Sequence, residues 1–346
     1  MNILVTSAGK RNYLAKYFKD SLKDNGQVHI SNYSPIDPAL LHVDRSVVTP
    51  GIFEEGYVDF LMEYCIRNRI GAIISQFDLD LPVLSRNKGS FGNMGVNVIV
   101  SDNAAIDICC DKWKTYHFLI KNGLNAPKTF LSKSRAIEAV ERGEVNFPLI
   151  VKPRWGFGSI GIIEASNNNE LKKSFKEVKK CIYNSYLKLA VGHETKDIMV
   201  IQEKLSGHEY GLDIINNMEG QHKSTIVKRK YSMRSGETYC AETVDCTELQ
   251  SLGEVVGENM RHVANMDVDI IYSKGKFFIL DLNARFGGGY PFSHFAGVDL
   301  PLAILKWLKR EKVEHNLLVG ETGVLSHKNI MMNGIEEDYV LEGYDE

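Results

Sequence analysis

Three polar side chains alternate along an apolar stretch toward the carboxyl end of the chain, FFILDLNAR. They are Asp281, Asn283 and Arg285, and on a strand they would share one face. The upstream segment VDII carries Asp269, and a turn over residues 273–276 predicts a hairpin that brings Asp269 near Asp281. Carboxylate and amide oxygens suit Mg²⁺, and a nearby guanidinium suits polyphosphate. The alternative is the polar outer face of an edge hairpin.

A glycine-rich stretch, FPLIVKPRWGFGSIG, covers residues 147–161. A short buried strand ends at Lys152, and Gly156, Gly158 and Ser159 follow. Glycines let backbone N–H groups close on an anion, and the lysine adds a point charge. The alternative is a plain hairpin with a surface lysine. Because the lysine precedes the glycines, the loop is not of the Walker type, and we interpret it as a mobile β-hairpin lid.

Composition narrows the class of protein. A chain of 346 residues predicts two or three domains, and 44% hydrophobic with 25% charged residues is ordinary for a globular protein. A net charge of −3 does not favour nucleic acid, and no apolar run or signal layout predicts a membrane protein. The six cysteines form no CxxC motif, which favours a reduced, cytoplasmic location.

The elements that must position these groups begin with strands alternating with helices over residues 1–100. This pattern predicts an α/β, Rossmann-like domain with a parallel sheet. The first strand is followed by SAGKR, without GxGxxG, so no dinucleotide site is predicted. Ligands of such sheets lie beyond the carboxyl ends of the strands. Ser7, Lys10, Arg11 and Asp78 are therefore candidates for a substrate pocket, unless they form only a solvated loop with a basic helix start.

Further cations come later in the chain. Asp111 can cap a helix that carries Lys112 in its first turn, where a lysine opposes the helix dipole and so invites an anion. The strand KSTIVKRKY carries Lys228 and Lys230. A negatively charged substrate needs a cationic end to its pocket. We expect Arg11, with Lys10, or this basic strand to receive the substrate carboxylate.

Lys112, the KPRWGFGSIG loop, EKLSGHEY and the D…DLNARFGGGYP hairpin together resemble the ATP-grasp superfamily, in family order along nearly the whole chain. The likeness is greatest to its carbamoyl-phosphate-synthase-like and biotin-carboxylase-like members. It implies an α/β N-terminal pre-ATP-grasp domain followed by α+β ATP-grasp domains. The implied bounds are residues 1–110 for the first domain, 111–200 for a linker helix and small lid, 201–315 for a large subdomain with the metal site, and 316–346 for a strand and acidic tail.

The resemblance also assigns roles to residues. Lys112 and Lys152 would contact ATP phosphates, and the loop glycines with Ser159 would close over them. Glu203 and Leu205 would contact the adenine through their backbone and, with Lys204, line the interdomain hinge. Glu209 would accept hydrogen bonds from the ribose hydroxyls. Mg²⁺ would be held by Asp269, Asp281 and Asn283, and Arg285 would steady the transferring phosphoryl group. The second metal ligand is usually Glu in this family, so Asp281 is a departure that leaves the bridging of two ions less secure.

The implied activity is that of an ATP-dependent carboxylate–amine ligase. ATP would convert a small-molecule carboxylate to an acyl phosphate with release of ADP, and an amine would displace phosphate. The cofactors would be ATP and Mg²⁺, with Mn²⁺ as a substitute, and a homodimer is the default assembly. Alternatives are phosphorylation of bicarbonate or carbamate, and a regulatory ATP-binding protein without turnover.

Four side chains near the site keep open roles. His208 and His294 are either proton shuttles or plain hydrogen-bonding groups. Trp155 and Phe157 either brace the glycine loop or touch the substrate.

Overall fold

The computed structural model describes residues 1–9, 11–156, 158–192, 196–234 and 236–329. Their strands form three sheets of five, four and six strands. Each sheet is built from a separate part of the chain, and the candidate site lies where the three parts meet. No helix in these ranges is both long enough and apolar enough to cross a membrane.

The N-terminal sheet is parallel throughout, as the alternating pattern predicted. Its strands in spatial order are β3, β2, β1, β4 and β5, where β1 is Asn2–Thr6, β2 Val28–Asn32, β3 Arg45–Val48, β4 Ile70–Ser75 and β5 Asn97–Val98. Its helices are α1 Tyr13–Leu22, α2 Tyr57–Asn68, α3 Leu81–Asn93 and α4 Asn103–Cys110. Two of these elements, β3 and α3, were not predicted from the sequence. β3 is a half-exposed edge strand, and α3 contains two glycines and a proline that obscure its helical pattern.

The second part is a small lid joined to the first by α5, Lys112–Lys121, which Asp111 caps through the backbone N–H groups of Trp113 and Lys114. The lid sheet has the order β6, β9, β7, β8. Its strands are β6 Thr129–Phe130, β7 Leu149–Pro153, β8 Ile163–Ala165 and β9 Met199–Glu203, and its helices are α6 Lys133–Glu141, α7 Asn168–Tyr183 and α8 Leu187–Val191. Because β7 pairs antiparallel with β8, the glycine loop joins two strands of a hairpin, as predicted.

The third part is a six-stranded antiparallel sheet with the order β14, β13, β10, β11, β12, β15. Its strands are β10 His208–Asn216, β11 His222–Arg234, β12 Glu237–Thr243, β13 Ala264–Ser273, β14 Lys276–Asn283 and β15 Leu325–His327. Its helices are α9 Thr247–Met260, α10 Tyr290–Phe295 and α11 Leu300–Leu308. Strand β12 was not predicted from the sequence. The predicted C-terminal strand is β15, whereas the predicted acidic tail from residue 330 onward lies outside the described residues.

The first and third parts share a hydrophobic core, and the lid has a separate one. Ile106 and Leu119 belong to one buried cluster with Met266 and Leu282 of the large sheet. The lid has a cluster of its own, which includes Val151. Because buried apolar contacts hold elements together, the first and third parts form a common base. The lid would give up the fewest buried apolar contacts if it moved relative to that base.

Candidate active site

A cavity of about 770 Å³ lies between the N-terminal sheet, the lid and the large sheet. Most of the predicted site residues line it. They are Arg11, Asp78, Lys112, Lys152, Gly156, Gly158, Ser159, Glu209, Lys230, Asp269, Asp281, Asn283 and Arg285. The chain therefore gathers at one place groups that are up to 274 residues apart in sequence.

The acidic side of the cavity is the hairpin of β13 and β14. Asp269 pairs directly opposite Asp281 in the register, as predicted, and Asp267 pairs opposite Asn283. Asp269 and Asp281 each have an ammonium partner. Lys112 Nζ lies 2.7 Å from Asp281 Oδ2, and Lys230 forms an ion pair with Asp269. The hairpin thus presents two carboxylates and an amide to the cavity, with cations already beside them.

The acidic groups influence each other's protonation. Burial, and then the neighbouring Asp269 charge, raise the pKa of Asp267 to about 6. Burial would also raise the pKa of Asp269, but the charge and hydrogen bond of Lys230, together with the Arg285 and Lys112 charges, outweigh burial, so that the pKa of Asp269 is lowered. A metal cation bound between Asp267 and Asp269, in addition to Lys230, would reduce the repulsion between the two carboxylates.

The donor set suits a hard divalent cation. No group of three or more His, Cys, Asp or Glu side chains within the described ranges is arranged to hold a metal by itself. Mg²⁺, however, usually takes only one or two carboxylates and completes its shell with phosphate oxygens and water. Asp269, Asp281 and the Asn283 amide face one cavity and fit that requirement. Asp281 and Asp269 remain 23% and 39% exposed as side chains, so both can be reached by a ligand.

The basic side of the cavity is provided by the lid and the linker helix. Lys152 is buried at the end of β7. Burial, and then the Lys112 charge, lower the pKa of Lys152 to about 8. Two ammonium groups that repel each other in a partly desolvated place are stabilised when an anion lies between them. This arrangement favours phosphate.

Arg285 is held rigidly at the junction with the N-terminal domain. Its Nε and Nη2 donate to the two carboxylate oxygens of Asp78 at 2.9 and 3.0 Å, and Nη1 lies 3.6 Å from Asp267. Burial would lower the pKa of Arg285, but the Asp78 and Asp267 carboxylates raise it. The structure shows that Asp78 orients Arg285, and its expected contact with substrate stays a prediction.

The structure does not bring every predicted residue to the cavity. Lys228 is 2% exposed and forms a buried ion pair with Asp213, so it does not line the cavity, and we do not retain it as a substrate-binding residue. Both lysine side chains pass over Gly211 of the neighbouring strand β10. Because Gly211 has no side chain, it leaves room for the stems of Lys228 and Lys230. Lys10 lies outside the described residues.

The predicted adenine contacts lie at the connection between the lid and the large sheet. Glu203 ends β9 and pairs with Lys274 at 3.0 Å, and Lys204 pairs with Glu164 at 2.5 Å. Neither residue, nor Leu205, is among the described residues that line the cavity. Their backbone contact to adenine stays a prediction.

Several further residues line the cavity without having been predicted from the sequence, among them the polar side chains of Asp267, Gln76 and Glu237. Asp267 could have been found, because it lies two residues before Asp269 and so shares its strand face. Glu237 begins β12, and the Arg11 guanidinium donates to it at 2.9 and 3.1 Å. No pattern in the sequence joins residues 226 positions apart.

The structure bears on the four side chains whose roles were left open. Trp155 packs against the lid core and receives the Arg154 guanidinium on its face at 4.5 Å, which favours bracing of the loop. His294 stacks on Tyr17 at 3.6 Å between ring centroids. Neither His294 nor His208 is among the described residues lining the cavity, and Phe157 lies outside the described residues.

Comparison with known proteins places this arrangement in a family. Residues 109–289 match the ATP-grasp domain, and residues 3–99 match the PylC-like N-terminal domain. The chain belongs to the ATP-grasp family. The fold and family assignment expected from the sequence is thereby confirmed.

Curated relatives are similar over most of this chain. D-alanine–D-alanine ligase of Thermotoga maritima is 26% identical over 67% of this chain and 82% of its own length. The carbamoyl phosphate synthase large chain of Methanosarcina acetivorans is 22% identical over 84% of this chain. This chain spans only about a quarter, 27%, of that synthase chain.

Solved structures share the fold. Biotin carboxylase of Campylobacter jejuni superposes with a TM-score of 0.72 at 15% identity, over 92% of this chain and 73% of that one. L-amino acid ligase of Bacillus licheniformis gives 0.63 at 19% identity, over 89% and 74%. The biotin carboxylase domain from Hydrogenobacter thermophilus, solved with MgADP and bicarbonate, gives 0.71 at 12% identity, over 92% and 72%.

Proposed function

We propose that this protein is an ATP-dependent ligase that activates a small-molecule carboxylate as an acyl phosphate, releases ADP and joins the acyl group to an amine. The observation that carries the proposal is that two kinds of group line one cavity. Asp269, Asp281 and Asn283 offer oxygen ligands, and Lys112 and Lys152 offer ammonium groups, with Lys112 Nζ 2.7 Å from Asp281 Oδ2. A triphosphate needs both a cation site and direct cationic donors, and this cavity supplies both.

The chemistry uses charge neutralisation and positioning. A carboxylate oxygen of the substrate attacks the γ-phosphorus of ATP, and ADP leaves. The amine nitrogen then attacks the acyl carbon, gives up a proton, and phosphate leaves. Mg²⁺ bound to the carboxylate hairpin would supply Lewis-acid neutralisation of the phosphate charge.

Residues of the chain have distinct tasks in this scheme. Lys112 and Lys152 bind the phosphates and balance their charge. Arg285, oriented by Asp78, faces the place where phosphoryl transfer occurs and stabilises the charge that develops there. Gly156, Gly158 and Ser159 close the lid loop over the phosphates and keep water from the acyl phosphate.

The remaining contacts complete the ATP site. We place adenine at Glu203, Lys204 and Leu205, the ribose hydroxyls on Glu209, and Mg²⁺ or Mn²⁺ at the hairpin. Among the candidate substrate residues, Arg11, Lys230 and Asp78 stay in the proposal because all three line the cavity.

The partners and setting follow from the same scheme. The substrates are small molecules, and the proposed location is the cytoplasm, which the six free thiols support. A homodimer stays a prediction.

A phosphate-release screen tests the proposal. Carboxylates, with bicarbonate among them, are combined with amines in the presence of ATP and Mg²⁺, and products are identified by mass. We expect ADP and phosphate only with a matching pair of substrates. The variant Asp281→Asn should lose at least ~100-fold in turnover, whereas the exposed control Asp59→Asn should not change. Formation of AMP and pyrophosphate would refute the acyl phosphate route.

A further inference from the structure

A carboxylate lies between two cations at one wall of the cavity of about 770 Å³. Glu237 Oε1 accepts hydrogen bonds from Arg11 Nη2 and Nε at 2.9 and 3.1 Å, and Glu237 Oε2 lies 3.3 Å from Lys328 Nζ. Arg11 and Glu237 line this cavity, and neither is among the described residues that line a second cavity of about 630 Å³ beside it. Lys328 therefore contacts Glu237, and Glu237 contacts an arginine that faces the cavity.

The sheet register places Lys328 beside Glu237. Strands β12 and β15 pair antiparallel, with Cys240 opposite His327, and the Lys328 N–H donates to the Tyr239 carbonyl at 2.9 Å. Glu237 comes two residues before Tyr239, so Lys328 is its diagonal neighbour across the two strands. At that separation a long side chain reaches its partner.

Burial and a glycine keep Glu237 in one place. The side chains of Arg11, Glu237 and Lys328 are 24%, 24% and 27% exposed. A Cβ at Gly288 would lie 3.3 Å from the Glu237 carboxyl carbon, so the glycine leaves the room that this carboxylate fills. A partly buried network of several charges contributes more than an isolated pair on the surface. Glu237 is thereby a fixed partner for Arg11.

Arg11 is also held by the N-terminal sheet. Its Nη1 donates to the Gln76 carbonyl at 3.4 Å, and the Gln76 side-chain amide donates to the Arg11 carbonyl at 3.1 Å. Gln76 directly follows β4, and Asp78, which holds Arg285, comes two residues later. The Arg11 guanidinium is therefore fixed between β12 and the same segment that orients Arg285.

Glu237 leaves part of the Arg11 guanidinium available. A guanidinium has five N–H groups. Two of those of Arg11 donate to Glu237 and one donates to Gln76, which leaves two without a partner among the described residues. Because Arg11 lines the cavity, the anionic group of a ligand can accept from them. An arginine held on one edge by a carboxylate presents its remaining N–H groups in a fixed direction.

We infer that Lys328 and Glu237 are positioning residues for the carboxylate substrate. They fix the Arg11 guanidinium that binds the anionic end of this substrate, so the C-terminal strand β15 helps to build the substrate site. The inference rests on the proposed ligase function for the substrate, whereas the fixing of Arg11 does not depend on that function. Lys328 lies beyond both matched regions, residues 3–99 and 109–289, so the family likeness assigns it no role.

Modification of the full chain by phenylglyoxal, an arginine-selective reagent, measures how firmly Arg11 is held. The reagent must reach both terminal nitrogens of the guanidinium, and in the wild type both are hydrogen-bonded. We expect Glu237→Gln to speed modification of the Arg11 peptide, followed by mass spectrometry, at least about fivefold, and Lys328→Met at least about twofold. Lys328→Arg keeps the cation and should react as the wild type does.

Lys88→Met is the matched control, because Lys88 is 30% exposed, pairs with Asp102 at 2.6 Å and is not among the described residues that line the cavity. It should leave the rate of Arg11 modification unchanged. Faster modification in Glu237→Gln and Lys328→Met supports the fixing of Arg11 even if no carboxylate yields ADP, and that absence would count against the ligase function alone. Equal rates in all three variants overturn the inference.

Steady-state kinetics with the carboxylate identified by the phosphate-release screen separates positioning from a purely structural role. Glu237→Gln and Lys328→Met should raise KM for the carboxylate at least about tenfold and leave KM for ATP and kcat within about threefold. Lys328→Arg should restore KM for the carboxylate. A lower KM for the carboxylate in Glu237→Gln would show that Glu237 competes with the substrate for Arg11, and would overturn the inference.

Discussion

Arg285 and Asp78 form an ion pair with two hydrogen bonds, of 2.9 and 3.0 Å, across 207 positions of sequence. One residue follows the last strand of the carboxylate hairpin, and the other follows β4 of the N-terminal sheet. The pair is almost fully buried on the arginine side, with 7% of the Arg285 side chain exposed. It links the proposed site of phosphoryl transfer to the domain proposed to bind the carboxylate substrate.

Asp78→Asn should lower kcat/KM for ATP turnover about a hundredfold, because a guanidinium that loses its charged partner no longer keeps one geometry. The side chain keeps its size, so the effect reports on charge and orientation. Steady-state phosphate release measures it, with the exposed Asp59→Asn as control. An unchanged kcat/KM would show that Arg285 needs no help from Asp78.

Lys152→Met should weaken ATP binding about 10- to 100-fold, because a charged donor to phosphate is lost while the apolar stem is kept. Calorimetric titration with a non-hydrolysable ATP analogue measures the affinity. Lys128→Met, in the same lid but 46% exposed and paired with Glu144, is the control and should bind normally. Equal affinity in both variants would remove Lys152 from the phosphate site.

Gly287→Ala should lower both ATP turnover and stability. A Cβ at this position would overlap the Asp267 carboxylate, so the carboxylate hairpin and the following loop must separate. We expect a loss of about 1–3 kcal/mol in the free energy of unfolding. Gly89→Ala, inside α3 with open space around it, should instead raise that free energy by about 0.5–1 kcal/mol. Urea unfolding measures the stability of both variants. If Gly287→Ala were as stable as Gly89→Ala, the close packing at Gly287 would be contradicted.

Lys228→Met should destabilise the protein by about 3–5 kcal/mol, because it leaves the buried Asp213 carboxylate without its cation. Asp213 keeps its bonds from Ser293 and from Asn265, the latter at 3.0 Å, which do not replace a charge. The double variant Lys228→Met/Asp213→Leu should recover part of the loss.

Lys223→Met, an exposed change on the same strand, is the control for this unfolding experiment and should fall within about 0.5 kcal/mol of the wild type. If Lys228→Met were as stable as this control, the buried pair would not be a stabilising contact. ATP turnover of Lys228→Met under folded conditions would further show whether Lys228 acts only through structure.

Much of the site was predictable because it rests on local rules. Strand alternation places Asp281 and Asn283 on one side of β14, and the turn at residues 273–276 brings Asp269 close to Asp281. A register shift between Asp269 and Ile270 then sets the two carboxylates directly opposite each other. The same holds for the Asp111 cap that starts the helix of Lys112. These features depend on residues close in sequence, so the chain carries them as pattern.

The roles of the cations were not predictable in this way. Lys228 and Lys230 are two residues apart on β11 and share a strand face, yet Lys228 is buried against Asp213 whereas Lys230 reaches Asp269 at the cavity. Which of them meets the ligand depends on what covers each position of the sheet. Lys228 and its partner Asp213 are covered by Gly289 and by Ser293 of α10, far along the chain. Strand periodicity carries no information about it.

By itself the sequence determined the alternating α/β domain, the glycine hairpin and the spacing of the carboxylates, since backbone geometry and side-chain period act over a few residues. Only the tertiary structure decided that Asp78 orients Arg285, that Arg11 meets Glu237, and that a second cavity adjoins the first. Those relationships join segments brought together by burial of a common core. Burial selects for complementary surfaces and leaves no fixed spacing in the chain.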